Sequence, residues 1–122
     1  DVTWATDNPG GEAKEIGEVK LGDGPVVVRG PNANPKLFEL LAKAGKASRI
    51  PLQIRALPRA AGNDANAIQI SRAGVAAGVV GIPQRYMHSP VEICHLGDVE
   101  RAIKLIAATI RGMDSETSFI PD

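Results

Sequence analysis

Apolar residues recur along this chain with two different periods, and the periods alternate. Residues 25–29, Pro-Val-Val-Val-Arg, form a β-branched run with the composition of a buried strand. Leu37, Leu40, Leu41 and Ala44 follow at helical spacing. Ahead of them Asn34 is placed to cap a helix and Pro35 to occupy its first position; Gly45 or the Ala47-Ser48 pair ends it. Residues 52–57 alternate, as a strand with one polar face does. Asn63 or Asp64 then caps a short helix predicted to run to Ser71. Residues 75–82 are almost continuously apolar or small, which fits a strand covered on both faces. Val99, Ala102, Ile103, Ile106 and Ile110 make one apolar stripe on a last helix predicted over 98–111. Residues 1–6 read as the end of a strand, and residues 18–21 are a candidate short one. Clusters of Asn, Asp, Pro and Gly at 7–11, 22–24, 30–35 and 58–63 punctuate these segments as turns.

Strand and helix alternating in this order predict an α/β layered domain with a parallel or mixed sheet. Only three substantial helices are available to cover both faces of that sheet. Part of the cover is therefore expected from a longer parent, and alone the exposed face predicts self-association or marginal stability. The start at Asp1 points the same way, since it reads as a cut through an ordered segment. Residues 1–112 read as one layered unit, and the polar residues 113–122 as a loose tail.

Composition narrows the function. Fourteen basic and fourteen acidic residues leave no net charge, and aromatics are 3%, which argues against nucleic-acid and anionic-membrane partners. No apolar run reaches membrane-spanning length, and residue 1 onward lacks the order of a secretory signal. The single Cys94 cannot form an internal disulfide, so the expected compartment is the cytoplasm.

Few residues carry candidate chemistry. His88 lies just past a predicted buried strand, where open α/β sheets place ligand loops, and Pro83 and Pro90 stiffen its surroundings. By position alone a lone His of this kind is more often structural than a ligand. Asp1 opens a strand; Asp64 suits the first turn of a helix, where an acid favours the dipole. Glu92 shares the His88 loop. Cys94 reads as a small core residue and His95 as the entrance to the last helix, because a Cys/His metal cluster would need further ligands at regular spacing. The nucleophile elbow, the phosphate loop, the dinucleotide fingerprint and the His-Glu-x-x-His motif are all absent from the sequence.

Four motifs in order carry more information than any one residue. They are Asp1-Val2-Thr3-x-Ala5-Thr6-Asp7-x-Pro9-Gly10, Gly30-Pro31-Asn32-x-Asn34-Pro35, Gly62-x-Asp64-Ala65-Asn66-Ala67-Ile68-Gln69, and Ile82-Pro83-x-Arg85-Tyr86-Met87-His88-Ser89-Pro90-Val91-Glu92. Together they resemble the tetrahedral aminopeptidases, a family that includes glutamyl and deblocking aminopeptidases and members labelled endoglucanase or cellulase. The resemblance implies the C-terminal portion of a three-layer α/β/α metallopeptidase domain with a mixed, largely parallel sheet. It implies two divalent ions per full-length subunit, zinc or cobalt, with Asp1 a terminal ligand of one and His88 of the other. The bridging ligand, the remaining ligands and the general-base glutamate would lie in a missing N-terminal part, so no catalytic residue is expected in this chain. Asp64, Arg59 and Tyr86 are implied as supports around the site or the substrate loop. The implied partners are a peptide substrate, that missing part, and further copies of the protein, from dimer to dodecamer.

Two positions depart from the family pattern. Trp4 stands where many relatives have His, and Asn63 where Thr is common, which leaves side-chain preference open. The expected activity is metal-dependent removal of N-terminal residues, with the chain by itself inactive. The alternatives are a polysaccharide hydrolase, which would need two carboxylic groups flanking the bond, and a non-catalytic fold or assembly fragment.

Overall fold

The computed structural model describes residues 1–121. Along them run β1 (Val2–Trp4), α1 (Ala13–Ile16), β2 (Val26–Arg29), α2 (Pro35–Ala47), β3 (Gln53–Ala56), α3 (Ala65–Gln69), β4 (Val80–Arg85), β5 (Ile93–Cys94) and α4 (Leu96–Arg111). The strands form one mixed sheet in the order β1-β4-β2-β3, with β5 added to β4. β1 runs parallel to β4, and β2 to β3; antiparallel pairing joins β4 to β2 and to β5.

β2 is buried on both faces because successive valines point opposite ways. Val27 meets Leu41, Ile50 and Leu105 beneath α2 and α4, while Val28 meets Ala65, Ala77 and Val79 on the other face. Each such valine is worth about 1.5–3 kcal/mol of burial. α2 starts where the sequence places it: Asn34 Oδ1 accepts the Leu37 N–H at 3.0 Å, with Pro35 at the first position. Gly45 is buried in this helix against Leu52; a Cβ there would lie 2.5 Å from Leu52 Cδ1.

Pro83 sits inside β4 without breaking it. Ile82 N–H donates to Asp1 O and Gln84 O accepts from Ala5, so the even positions of β4 serve β1. Pro83 is turned to the opposite side, between the Val80-Gly81 pairing with β2 and the Gln84-Arg85 pairing with β5. Its missing N–H falls in the gap between two partners.

Several expectations are corrected. The apolar run at 75–82 is not the strand; the ladder begins at Val80 and continues to Arg85, while Ala77 O and Val79 O accept single bonds from Asn34 and Val28. Residues 18–21 form no strand: the Val19 N–H goes to Thr6 Oγ1, and Lys20 N–H to Gln53 Oε1. α3 stops at Gln69, and Asn63 rather than Asp64 supplies the side-chain oxygen at its start, to the Ala65 N–H at 3.2 Å. Cys94 is exposed on β5, not in the core.

α4 begins at Leu96, with His95 Nδ1 accepting the Gly97 N–H as its cap. It buries Asp98, Ala102, Leu105 and Thr109, whereas Ile103 and Ile110 are 63% and 62% exposed. The buried stripe is one step round the helix from the predicted one because of Asp98, which is 0% exposed. Its carboxylate accepts the Gly22 N–H at 2.7 Å and the Gly24 N–H at 2.9 Å. Arg101 completes the cluster, donating to Asp98 Oδ1 and to Gly22 O. This fixes the turn before β2 to the helix. Gly24 needs to be glycine there, with φ +101° and Pro51 O where a Cβ would stand.

Candidate active site

The face of the sheet away from α2 and α4 carries a cavity of about 360 Å³. Asp1, Thr3, Arg55, Asn63, Met87 and His88 are among its lining residues. Asp1 and His88, 87 positions apart in sequence, both line it, Asp1 from the start of β1 and His88 from the loop that follows β4. Asp1 Oδ1 accepts the Val2 N–H at 2.7 Å; Oδ2 has no hydrogen bond among the described residues. Neither ring nitrogen of His88 has a hydrogen bond among the described residues, and its ring stands edge-on to Trp4 with centroids 5.9 Å apart.

The loop that presents His88 is held in an uncommon backbone shape. Tyr86 and His88 both have positive φ, 56° and 66°, a conformation disfavoured by about 1–2 kcal/mol per non-glycine residue. Glu92 holds it by accepting the His88 N–H at 2.6 Å. Below the loop, Arg85 grips Asp7 through Nε at 2.9 Å and Nη2 at 2.8 Å, and Asp7 also accepts the Leu21 N–H. The Arg85 guanidinium hydrogen bond holds the Asp7 carboxyl below its ordinary pKa, against the opposing effect of burial. Strain of this kind persists where the surroundings over-determine it, which is common at functional sites.

The 58–63 loop on the far rim is clasped at one residue. Asn32 Oδ1 accepts the Ala61 N–H at 2.6 Å, and Asn66 donates to Ala61 O. Both asparagines belong to the sequence motifs, and this shared grip is the physical content of those positions.

The expected supporting residues do not all gather here. Asp64 is exposed and lines a neighbouring cavity of about 500 Å³ that it shares with Asp1 and Asn63. Tyr86 lines a separate hollow with Trp4, Asn8 and Glu12. Arg59 is exposed and is not among the residues lining these cavities. Sequence reading passed over two residues that do line the cavity of Asp1 and His88, namely Thr3 and Arg55. Arg55 reaches from β3 across the sheet to β1, where Nη1 donates to Thr3 Oγ1 at 2.8 Å. Its Nε is closed off from solvent and has no partner, and burial lowers the guanidinium pKa. An unmade buried hydrogen bond costs about 1–3 kcal/mol. The one sequence signal for Arg55 is a charged residue inside an alternating strand.

Asp1 and His88 are ligand types suited to a divalent transition metal, and they fit such a site in part. Among the described residues no group of three or more His, Cys, Asp or Glu comes together to complete one.

The chain belongs to the M42 glutamyl aminopeptidase family, whose model matches residues 1–105. A lysyl aminopeptidase of Pyrococcus furiosus is 47% identical over 110 residues, covering 90% of this chain and 31% of its own. The crystal structure of a TET aminopeptidase from the marine sediment archaeon Thaumarchaeota archaeon SCGC AB-539-E09 matches with a TM-score of 0.85 and 35% identity. That match covers 95% of this chain and 33% of the other. The TET1 peptidase of Pyrococcus horikoshii, which can assemble into a tetrahedron or a large octahedral shell, matches with a TM-score of 0.65 and 31% identity. Here the coverage is 88% of this chain and 31% of the other. The chain thus spans about a third of the length of the relatives it matches. The family resemblance and the α/β fold read from the sequence both hold.

Proposed function

We propose that this chain is the C-terminal part of a metal-dependent aminopeptidase, which removes N-terminal residues from peptides at a site of two divalent ions, zinc or cobalt. The observation that carries this reading is the meeting of Asp1 and His88 at one cavity. Bound divalent ions would supply Lewis acidity at the scissile carbonyl and a water acidified enough to attack it. Asp1 would offer its unpartnered Oδ2 to one ion, and His88 a neutral imidazole nitrogen to the other. Each ion needs about three protein ligands, so the others and the general-base glutamate belong to polypeptide outside this chain. Glu92 holds the His88 backbone, the Arg85–Asp7 pair anchors the end of β4 that leads into the loop, and the Trp4 ring packs at right angles to the imidazole.

The chain alone is expected to be inactive. The working protein is a homo-oligomer, as the assemblies formed by the TET1 relative suggest. Its compartment is the cytoplasm; among the described residues no helix is long and apolar enough to cross a membrane. A polysaccharide hydrolase has less support. Asp1 is the only acid among the residues lining the cavity, so the pair of carboxyl groups is lacking there.

The test uses the intact protein that carries this chain, assayed on aminoacyl-anilides and on cellulose with and without chelator. Anilide hydrolysis lost to chelator and restored by zinc or cobalt is expected. Cellulose hydrolysis indifferent to chelator would overturn the proposal.

A further inference from the structure

The chain's one tryptophan and its one tyrosine line the same hollow. It lies beside the cavity of Asp1 and His88, has a volume of about 360 Å³, and shares Trp4 with that cavity as a common wall. Trp4 is 42% and Tyr86 39% exposed, so both rings are accessible to a ligand. Ala5 and Ile16 add apolar surface, and Glu12 carries the only charge among the lining residues.

The walls are held in place from outside the hollow. Trp4 pairs with Gln84 in the β1–β4 ladder, two residues before Tyr86. The Asp7–Arg85 pair, at 2.9 and 2.8 Å, ties the neighbours of Asn8 and Tyr86 together. Gly11 lets the turn before α1 close on the end of β1, where a Cβ would collide with the Thr6 carbonyl. That turn brings Glu12 to the hollow. The Glu12 carboxylate caps nothing and, among the described residues, has no hydrogen bond or ion pair. Aromatic faces with a free carboxylate beside them suit a cation carried on an apolar stem, as lysine and arginine side chains are.

We propose that this hollow binds a lysine or arginine side chain of the peptide substrate, that of the residue following the cleaved bond. The proposal rests on the aminopeptidase reading and deepens it; it concerns the residue after the cut, not the residue removed. An aminopeptidase has one substrate residue on the amino side of the cleaved bond, and that residue sits with the bond at the metal ligands. Asp1 lines the first cavity and not this hollow. A recess on the far side of Trp4 therefore takes a side chain from the carboxyl side of the bond. The stem lies against Trp4 and Tyr86, and the charged end meets Glu12.

The experiment measures kcat/KM of the intact, metal-loaded protein on leucyl dipeptide amides whose second residue is lysine, norleucine, glycine or glutamate. Norleucine keeps the stem of lysine without its charge. The expected order is lysine, norleucine, glycine, glutamate. Glu12→Gln should lower the lysine-to-norleucine ratio about 3- to 10-fold, the size of an exposed ion pair with a cation–π contact, and leave norleucine against glycine unchanged. Glu12→Lys should place glutamate above lysine. Trp4→Ala should lower lysine and norleucine together relative to glycine. Equal rates for lysine and norleucine in the unaltered protein overturn the proposal, as does a ratio indifferent to Glu12→Gln. So does a Glu12 effect that follows lysine in the first position instead of the second. If the unaltered protein cleaves none of these peptides, the aminopeptidase reading fails, and metal-free protein is titrated with lysinamide instead. The probe is the Trp4 indole N–H resonance, identified by its loss in Trp4→Phe. A shift with lysinamide that norleucinamide does not give, and that Glu12→Gln abolishes, supports a cation site. Its constancy at millimolar lysinamide refutes one.

Discussion

Replacing Asp98 tests whether one buried carboxylate ties the turn before β2 to α4. The side chain is fully buried and accepts the N–H groups of Gly22 and Gly24, with Arg101 as its third donor. Asp98→Ala strands two backbone donors, each worth about 1–3 kcal/mol when left unmade. It also removes one partner of an ion pair, and such losses in buried pairs run to about 3–5 kcal/mol. Arg101 is partly exposed, so water relieves its share, and about 3–4 kcal/mol is the expected total. A domain of this size has only about 5–15 kcal/mol in all. Asp98→Asn keeps one acceptor oxygen and should cost about 1–3 kcal/mol. Arg101→Ala leaves both glycine bonds in place and should cost about 1 kcal/mol or less. Urea titration of the chain, followed by far-UV circular dichroism and by the fluorescence of its single tryptophan, Trp4, ranks the three variants. If Arg101→Ala costs as much as Asp98→Ala, the ion pair outweighs the backbone bonds and the reasoning is wrong.

The Asp7–Arg85 pair should be visible in acid. The folded carboxyl is held below the ordinary value of 3.8, so its stabilisation is complete above that value and is lost as pH falls through and below it. Asp7→Asn should flatten that acid limb in a plot of melting temperature against pH; an unchanged limb would remove Asp7 from the explanation. On α4, Leu105→Ala should cost about 2–5 kcal/mol by cavity formation, while Ile103→Ser should stay within about 0.5 kcal/mol in the isolated chain. Equal costs in denaturant titrations would restore the stripe predicted from the sequence.

What could be read from the sequence was what neighbours in sequence decide. The start of α2 was legible because Asn34 and Pro35 act on the next turn of their own helix. The buried face of α4 was not, since the stripe that is buried, Asp98, Ala102, Leu105 and Thr109, is less apolar than the one left exposed. The choice between them is made by glycines 74 and 76 positions away that receive Asp98. β4 was misplaced because an apolar run outweighed the ladder, which passes through Pro83 and ends on polar Gln84 and Arg85. Asp1 and His88 were singled out by motif, and both are among the residues lining one cavity. Arg55 was missed because its meaning depends on Thr3, 52 residues earlier and two strands beyond its own neighbour β2.

Pro83 has a consequence for where the His88 loop can be. A strand that slides by two residues keeps its faces but changes every bonding partner. If β4 slid by two in the direction that carries Pro83 into the slot of Gly81 or of Arg85, β2 or β5 would meet a position with no proton to give. The neighbouring alignments are thereby penalised without any side-chain contact. The distance along the strand from the Asp1 end of β1 to Tyr86 and His88 is set by an atom the chain does not have.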